Sequence, residues 1–215
     1  SDLKLDTDAS YFQYCMNNTI FDSKWDYIPE KPAPLVCDMS SCILSEPVDV
    51  SKFGIIYAGA QKNMGPAGFA VVIIRNDLDL CPPDNTPVLL NYKTMIKNKS
   101  MYNTPPTYGI YMLGLVLDWI DELGGLERMA EINREKAALL YDRLDRSKLF
   151  RLGVEKPFRS IMNVTFSTGD EELDNQFVKG AEKEGLVSLK GHRSVGGMRA
   201  SIYNAMPREG VEKLI

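Results

Sequence analysis

The sequence holds a single histidine, His192, in 215 residues. That argues against a metal site built on several imidazoles. Its four cysteines, Cys15, Cys37, Cys42 and Cys81, make no C-x-x-C pair, and Cys37 and Cys42 stand five apart. Reduced, mostly buried thiols in a reducing, cytoplasmic setting are the expectation. No apolar run approaches the ~20 residues of a membrane span. No charged-then-apolar leader opens the chain, so no secretory signal is expected. Basic excess is lacking too: the formal net charge is −4, which argues against general nucleic-acid binding. What is present is ordinary globular composition, 44% hydrophobic and 25% charged, at a length that suits one or two domains.

Residues 1–8 carry no element-start signal. At the other end, Pro207 begins a stretch in which Val211, Leu214 and Ile215 fall at helical spacing, and the sequence stops before that helix would be useful. A piece of a longer polypeptide, cut at both ends, is expected. Between the ends, residues 33–38, 55–58 and 69–74 read as apolar strands, the latter two suited to a sheet covered on both faces. Residues 77–99 read as irregular. Helices are expected over 107–123, stopped by Gly124 and Gly125, and over 126–144, long enough to bridge two domains. The character changes near Ile132. Strands over 159–167, 186–189 and 198–204 and a helix over 171–183 then suggest a second α/β domain. The expected division is 1–132, part of a larger domain, and 133–215, a smaller one.

Lys62 is the first residue to carry chemistry. Apolar residues 55–58 deliver it into a turn of small neighbours, Gly59, Ala60 and Gly65, and an apolar strand follows. Burial disfavours an ammonium, and a neutral amine condenses with a carbonyl, as in a lysine that holds pyridoxal phosphate. A plain turn lysine in a hairpin fits the segment equally. Asp38 ends the strand before it. A carboxylate there could keep a pyridine nitrogen protonated, and ligands bind beyond the carboxyl ends of parallel strands; the alternative is a turn cap for Ser40 and Ser41. The 24 residues between Asp38 and Lys62 allow one connection between neighbouring strands, which puts both side chains at one sheet edge.

Between Gly185 and Pro207 there is no acid, while Lys190, His192, Arg193 and Arg199 are all present. In an acidic protein this suggests a site for a multiply anionic small molecule, with arginine matching a carboxylate or phosphate bidentately. Strand alternation sets Met198, Ala200 and Ile202 on one face and Arg199, Ser201 and Tyr203 on the other. A basic surface loop is the competing reading. In Met101-Tyr102-Asn103-Thr104-Pro105-Pro106 the double proline holds Asn103 and Thr104 extended, either as phosphate donors or as a cap for the next helix.

Four runs taken in order resemble one family: Val36-Cys37-Asp38-Met39-Ser40-Ser41, Tyr57-Ala58-Gly59-Ala60-Gln61-Lys62-Asn63, Tyr102-Asn103-Thr104-Pro105-Pro106, and the stretch from Lys190 to Ala205. The resemblance is to the phosphoserine aminotransferase family, among the class V pyridoxal-phosphate aminotransferases. It implies an α/β fold of fold type I: the C-terminal part of a large, mainly parallel-sheet domain plus a small α/β C-terminal domain. It implies pyridoxal 5'-phosphate as cofactor, a homodimer, and reversible transamination between glutamate and 3-phosphohydroxypyruvate in serine biosynthesis. By the same resemblance Lys62 is the catalytic lysine that joins the cofactor, Asp38 meets the ring nitrogen, and Gln61 the cofactor phosphate. Thr19 lies near the phenolic oxygen, and Asn103 and Thr104 reach the partner's cofactor. Arg199 clamps the substrate α-carboxylate, and His192 and Arg193 meet its distal phosphate or carboxylate. The family often has glutamate where Asn18 stands, and its members carry over a hundred further residues ahead of Ser1, with more of the site. A lyase or desulfurase of the same fold and a non-enzymatic phosphate-binding module are the other readings. Gln61 stands where lyases and desulfurases commonly place a histidine.

Overall fold

The computed structural model describes residues 3, 6–30 and 33–215. The start of the 1–8 stretch, residues 1, 2, 4 and 5 among it, lies outside the described residues. Four strands form the main sheet in the order β1 (Phe12–Cys15), β4 (Leu35–Asp38), β5 (Ile55–Gly59), β6 (Ala70–Ile74). β1, β4 and β5 run parallel, and β6 turns back antiparallel on β5. The chain reverses after β5 because Ala60 N–H bonds Phe69 O at 3.1 Å and Met64 N–H bonds Ala60 O at 3.2 Å, closing a tight loop around Gln61 to Asn63. Gly65 and Gly68, both at positive φ (140° and 120°), make the rest of that turn possible. A two-residue hairpin, β2 (Asn17–Asn18) with β3 (Ser23–Lys24), follows β1.

The expectation of a sheet covered on both faces is met on only one face of β5, with Ile55, Tyr57 and Gly59 on the other face partly buried, and fails for β6. Ile56 and Ala58 are buried, whereas Ile73 is 41% exposed and Ala70 is also exposed. Apolar runs report what a strand can bury, and the described residues supply cover for β6 on only part of its surface. Within the 77–99 stretch expected to be irregular there is a short helix, α1 (Tyr92–Lys97), started by Asn91, whose side chain accepts from Lys93 N–H.

α2 (Thr107–Glu122) and α3 (Gly125–Asp145) follow, broken at Gly124 and Gly125, whose φ of 107° and 81° end a helix cheaply only for glycine. Gly109 lets α2 lie close: a Cβ there would meet the Phe69 ring at 2.8 Å. The second sheet is one antiparallel pair, β7 (Asn163–Phe166) with β8 (Met198–Ser201), backed by α4 (Glu171–Lys183) and α5 (Arg208–Leu214). α4 begins where Asp170 accepts from Glu172 and Leu173 N–H. The largest core cluster joins α3, β7, α4, β8 and α5; Phe150, Phe166 and Phe177 meet edge to face within it at 5.3–5.9 Å.

Of three expected strands, two come out shorter and one does not form. The 159–167 strand is only β7, because Ser160 Oγ accepts from both Met162 and Asn163 N–H and holds a turn there. Residues 186–189 form no strand: Ser188 takes a φ of 62°. The 198–204 strand leaves the ladder after Ser201.

The end of α3 is fixed by charge. Arg159 donates two bonds to Asp145, both 2.9 Å, and lies over the Tyr141 ring at 4.8 Å, while Lys156 stands 3.2 Å from the same carboxylate. The Arg159 bonds, with Lys156 second, hold Asp145 down at about 2. A carboxyl lowered on folding stabilises above its unfolded value and loses that contribution as pH falls through the folded one. The stabilisation from Asp145 should therefore be complete above about pH 4 and fade toward pH 2. Acid unfolding curves of Asp145→Asn should lack that portion of the acid limb, and an unchanged curve would show that the clamp contributes nothing.

Candidate active site

The carboxyl ends of β1, β4 and β5 converge where the hairpin loop carries Lys62. Cys15 pairs with Asp38, and Asp38 with Tyr57, so β1 and β4 end side by side and β5 runs two residues further, to Gly59. Met39 N–H bonds Tyr57 O at 2.9 Å and Gly59 N–H bonds Ser40 Oγ at 3.0 Å, which pins the turn after Asp38 to the strand before Lys62. The expected meeting at one sheet edge is what the register produces.

Lys62 Nζ donates to Thr19 Oγ1 at 2.7 Å and lies 5.9 Å from the centre of the Tyr203 ring. Lys62, Thr19 and Asp38 are all partly buried. Thr19 is presented by a turn that Asn18 shapes, its Oδ1 accepting from both Ile20 and Phe21 N–H. Asparagine at 18 thus has a local job of its own. Asp38 Oδ1 accepts from Ser40 N–H at 2.8 Å, and no described residue donates to its other oxygen. Its charge reaches neighbours: Tyr57 is raised first by burial and then by Asp38. Cys15 is raised by burial and Asp38, with Asn17 O and Lys62 working the other way. An amine, a hydroxyl and a carboxylate with a free oxygen are the donor set that an aldehyde, a phenolic oxygen and a pyridine nitrogen require. The residues present fit pyridoxal phosphate.

Arg199 lies opposite Thr165 on β8, its N–H bonded to Leu189 O at 2.7 Å. Met198, Ala200 and Ile202 are buried and Arg199, Ser201 and Tyr203 are less so, as alternation predicts. Arg199 and Tyr203 therefore share one face. His192 and exposed Arg193 sit in a tight turn, closed by Gly196 N–H to His192 O at 2.8 Å and crossed by Gly191 N–H to Gly197 O at 2.8 Å. Gly197, at φ 63°, passes so near Phe166 O that a Cβ would meet it at 2.7 Å. His192 Nδ1 takes part in a 2.7 Å bond with Ser194 Oγ. Gln61 is exposed beside Gly59, with its Oε1 2.7 Å from where a Cβ would stand. Asn103 and Thr104 are exposed, and no hydrogen bond among the described residues joins them to Thr19, Asp38 or Lys62. A surface cavity of about 610 Å³ beside Lys24, Trp25 and Glu46 includes none of the expected site residues.

Sequence reasoning missed a layer of buried amides beneath the site. Asn17 Nδ2 donates to Ser41 Oγ at 2.8 Å and to Asn163 Oδ1 at 3.1 Å, and Asn163 Nδ2 reaches Tyr203 OH at 3.0 Å. Asn204 N–H bonds Asn63 Oδ1 at 3.0 Å, and its side chain joins Leu44 O and Asn133. These bonds tie β8 and its exit to the Lys62 loop. Buried Asp22 does the same for the hairpin, taking Thr165 N–H at 3.0 Å; burial raises its carboxyl. The expectation of mostly buried thiols holds for half of them: Cys37 and Cys42 are buried and free, Cys81 is exposed, and Cys15 is exposed as a residue although its sulfur is partly covered where it bonds Asn17 O.

The aminotransferase class-V family model matches residues 19–214. The chain belongs to the class V aminotransferase family. Among curated relatives, phosphoserine aminotransferase of Acidithiobacillus ferrooxidans is 55% identical over 216 residues, all of this chain and 60% of the relative. That of Idiomarina loihiensis is 52% identical over 212 residues, 99% of this chain and 59% of the relative. A solved phosphoserine aminotransferase from Bacillus circulans subsp. alkalophilus superposes with a TM-score of 0.95 at 51% identity, covering 98% of this chain and 59% of that one. The structure from Trichomonas vaginalis, with bound pyridoxal phosphate, gives 0.94 at 44%, covering 98% and 60%. The chain spans about three fifths of the length of the curated relatives it matches. Its architecture is accordingly the α/β, fold type I arrangement of class V aminotransferases. Among the described residues no helix is long and apolar enough to cross a membrane.

Proposed function

We propose that the polypeptide carrying this chain is a pyridoxal-phosphate aminotransferase that moves an amino group reversibly between glutamate and 3-phosphohydroxypyruvate, giving O-phospho-L-serine and 2-oxoglutarate. The observation that carries the reading is the Lys62 amine, 2.7 Å from Thr19 Oγ1 at the edge where Asp38 also ends. The names of the 52–55% identical relatives support the substrate pair. Pyridoxal phosphate, when bound, supplies the electron sink for loss of a proton from the substrate α-carbon. Lys62 holds the cofactor aldehyde in the resting protein and afterwards carries that proton. Asp38 keeps a proton on the ring nitrogen, Thr19 donates toward the phenolic oxygen, and Gln61 toward the phosphate. Arg199 grips the α-carboxylate of either substrate. His192 and Arg193 accept a distal carboxylate or phosphate, and the absence of acids between Gly185 and Pro207 suits both.

The reading includes a homodimer in which Asn103 and Thr104 reach the partner's cofactor. Exposed Met101, Tyr108 and Tyr111, at 63%, 71% and 63%, flank them and support a surface that is covered in the assembly. A cytoplasmic setting completes the proposal. The free cysteines are in keeping with it.

The test is borohydride reduction of the full chain loaded with pyridoxal phosphate, followed by peptide mapping. A pyridoxyl group on the Lys62 peptide is expected. Lys62 recovered unmodified from the loaded protein would overturn the reading.

A further inference from the structure

Lys136 takes no part in the chemistry above, yet it is 1% exposed. It lies on α3, three residues after Asn133 and one before Ala137, on the face that packs inward. Its Nζ points at four main-chain carbonyls: Tyr203 and Met206 at 2.9 Å, Ile202 at 3.3 Å and Asn204 at 3.4 Å. Among the described residues no carboxylate is paired with it. Lysine is almost never fully buried unless paired, because an ammonium out of water is costly. Burial lowers this amine to about 8, and the carbonyls around it can accept from every N–H of the charged form. Carbonyl oxygens that converge on one point replace the hydration shell of a small cation.

We propose that the 202–206 turn is a monovalent-cation site which this chain fills with its own Lys136 ammonium, and that the filled site positions Lys62. The turn is contiguous with the Lys62 loop. Asn204 bonds Asn63 through its N–H, and Tyr203 sets its ring beside Lys62 Nζ. Asn133, one helical turn before Lys136, holds the Asn204 side chain at 2.9 Å. Without a cation the four oxygens face one another with no shared partner, and the turn that seats Asn63 and Tyr203 loses its centre. Lys136 is thus a positioning residue for Lys62, while the catalytic contacts stay with Lys62 itself. The coupling to Lys62 rests on the functional reading above; the cation site does not.

The test compares Lys136→Ala with Lys136→Met in the full chain. Alanine leaves room for a stem and a charge, whereas methionine refills the stem and leaves no room for either. The probes are n-propylammonium chloride and potassium chloride, with tetramethylammonium chloride as the ionic-strength control. Propylammonium should raise the melting temperature of Lys136→Ala by at least about 3 °C over the control, and leave the wild type and Lys136→Met unmoved. Potassium should act in the same direction. If Lys136→Ala does not fold unaided, propylammonium should raise its refolding yield. No gain from propylammonium in either readout overturns the cation site. Cofactor loading, followed by absorbance, should slow about tenfold in Lys136→Ala, a coupling within the range for residues of one hydrogen-bond network. Propylammonium should restore it. Unchanged loading, or slowed loading that no cation restores, overturns the coupling to Lys62. If the wild type itself forms no Lys62 adduct, the functional reading fails, and the melting comparison still decides the cation site.

Discussion

Lys62→Ala is expected to abolish turnover in the full chain while cofactor binding remains detectable by absorbance. Two contributions disappear together. In the proposed reaction the amine that would hold the aldehyde is gone, and so is the group that would carry the substrate proton. Proton transfer by a placed side chain is alone worth roughly 10²–10⁴-fold. Among the described residues, Lys136 is buried against carbonyls and Lys24 is paired with Glu46, so neither stands ready to replace it. The other proposed cofactor contacts should survive the change, since Asp38 is held by Ser40 N–H and Thr19 by the Asn18 turn. Binding should therefore weaken without vanishing. Stopped-flow single-turnover measurements with glutamate would read the loss directly. Full activity in this variant would refute the assignment of Lys62.

Arg199→Leu should weaken both substrates. A bidentate, charge-assisted pair contributes ~1.5–3 kcal/mol per hydrogen bond, so kcat/KM should fall roughly 100-fold or more for each. Both substrates present an α-carboxylate, so the two losses should be similar. The variant should still fold. Arg199 keeps its strand place through its main chain, by the β7 pairing and the bond to Leu189 O, and leucine retains an apolar stem. Steady-state kinetics in both directions separate the possibilities. If only the phosphorylated substrate is weakened, Arg199 serves the distal group and the α-carboxylate lies elsewhere.

Much of this arrangement could be read in the chain. The continuous apolar runs gave β4 and β5, and a strand ending in Asp38 followed 24 residues later by Lys62 gave their meeting. The α4 limits were legible because Asp170 caps one end and Gly185, at φ 83°, closes the other. Arg199 was legible because alternation survives for as long as the strand is paired. What stayed hidden depends on distant partners. The strand expected over 186–189 fails at Ser188, whose backbone turns left-handed with nothing in the local pattern to announce it. α1 hides in a polar stretch because its start is a single asparagine cap. Asn17, Asn63, Asn163 and Asn204 carry no sign of their partners until the fold brings them together, and Asn133, though on the inward stripe of α3, does not announce which group it meets. Lys136 had a usable signal: it borders the Asn133, Ala137, Leu140 stripe of α3, where a charge on the inward face calls for an explanation.

β6 has a consequence for anyone who handles this stretch of sequence alone. In the described residues it is a terminal strand of the sheet, built from Ala70, Val71, Val72, Ile73 and Ile74 without a charge or a proline, and its outer rim of amides and carbonyls has no partner strand. Such a rim is an invitation to another copy, and proteins ordinarily disarm it with lysine, a bulge or a covering segment. A preparation limited to these 215 residues should gel or clump before it misfolds. A lysine at exposed Ile73 would be the gentlest way to keep it dispersed.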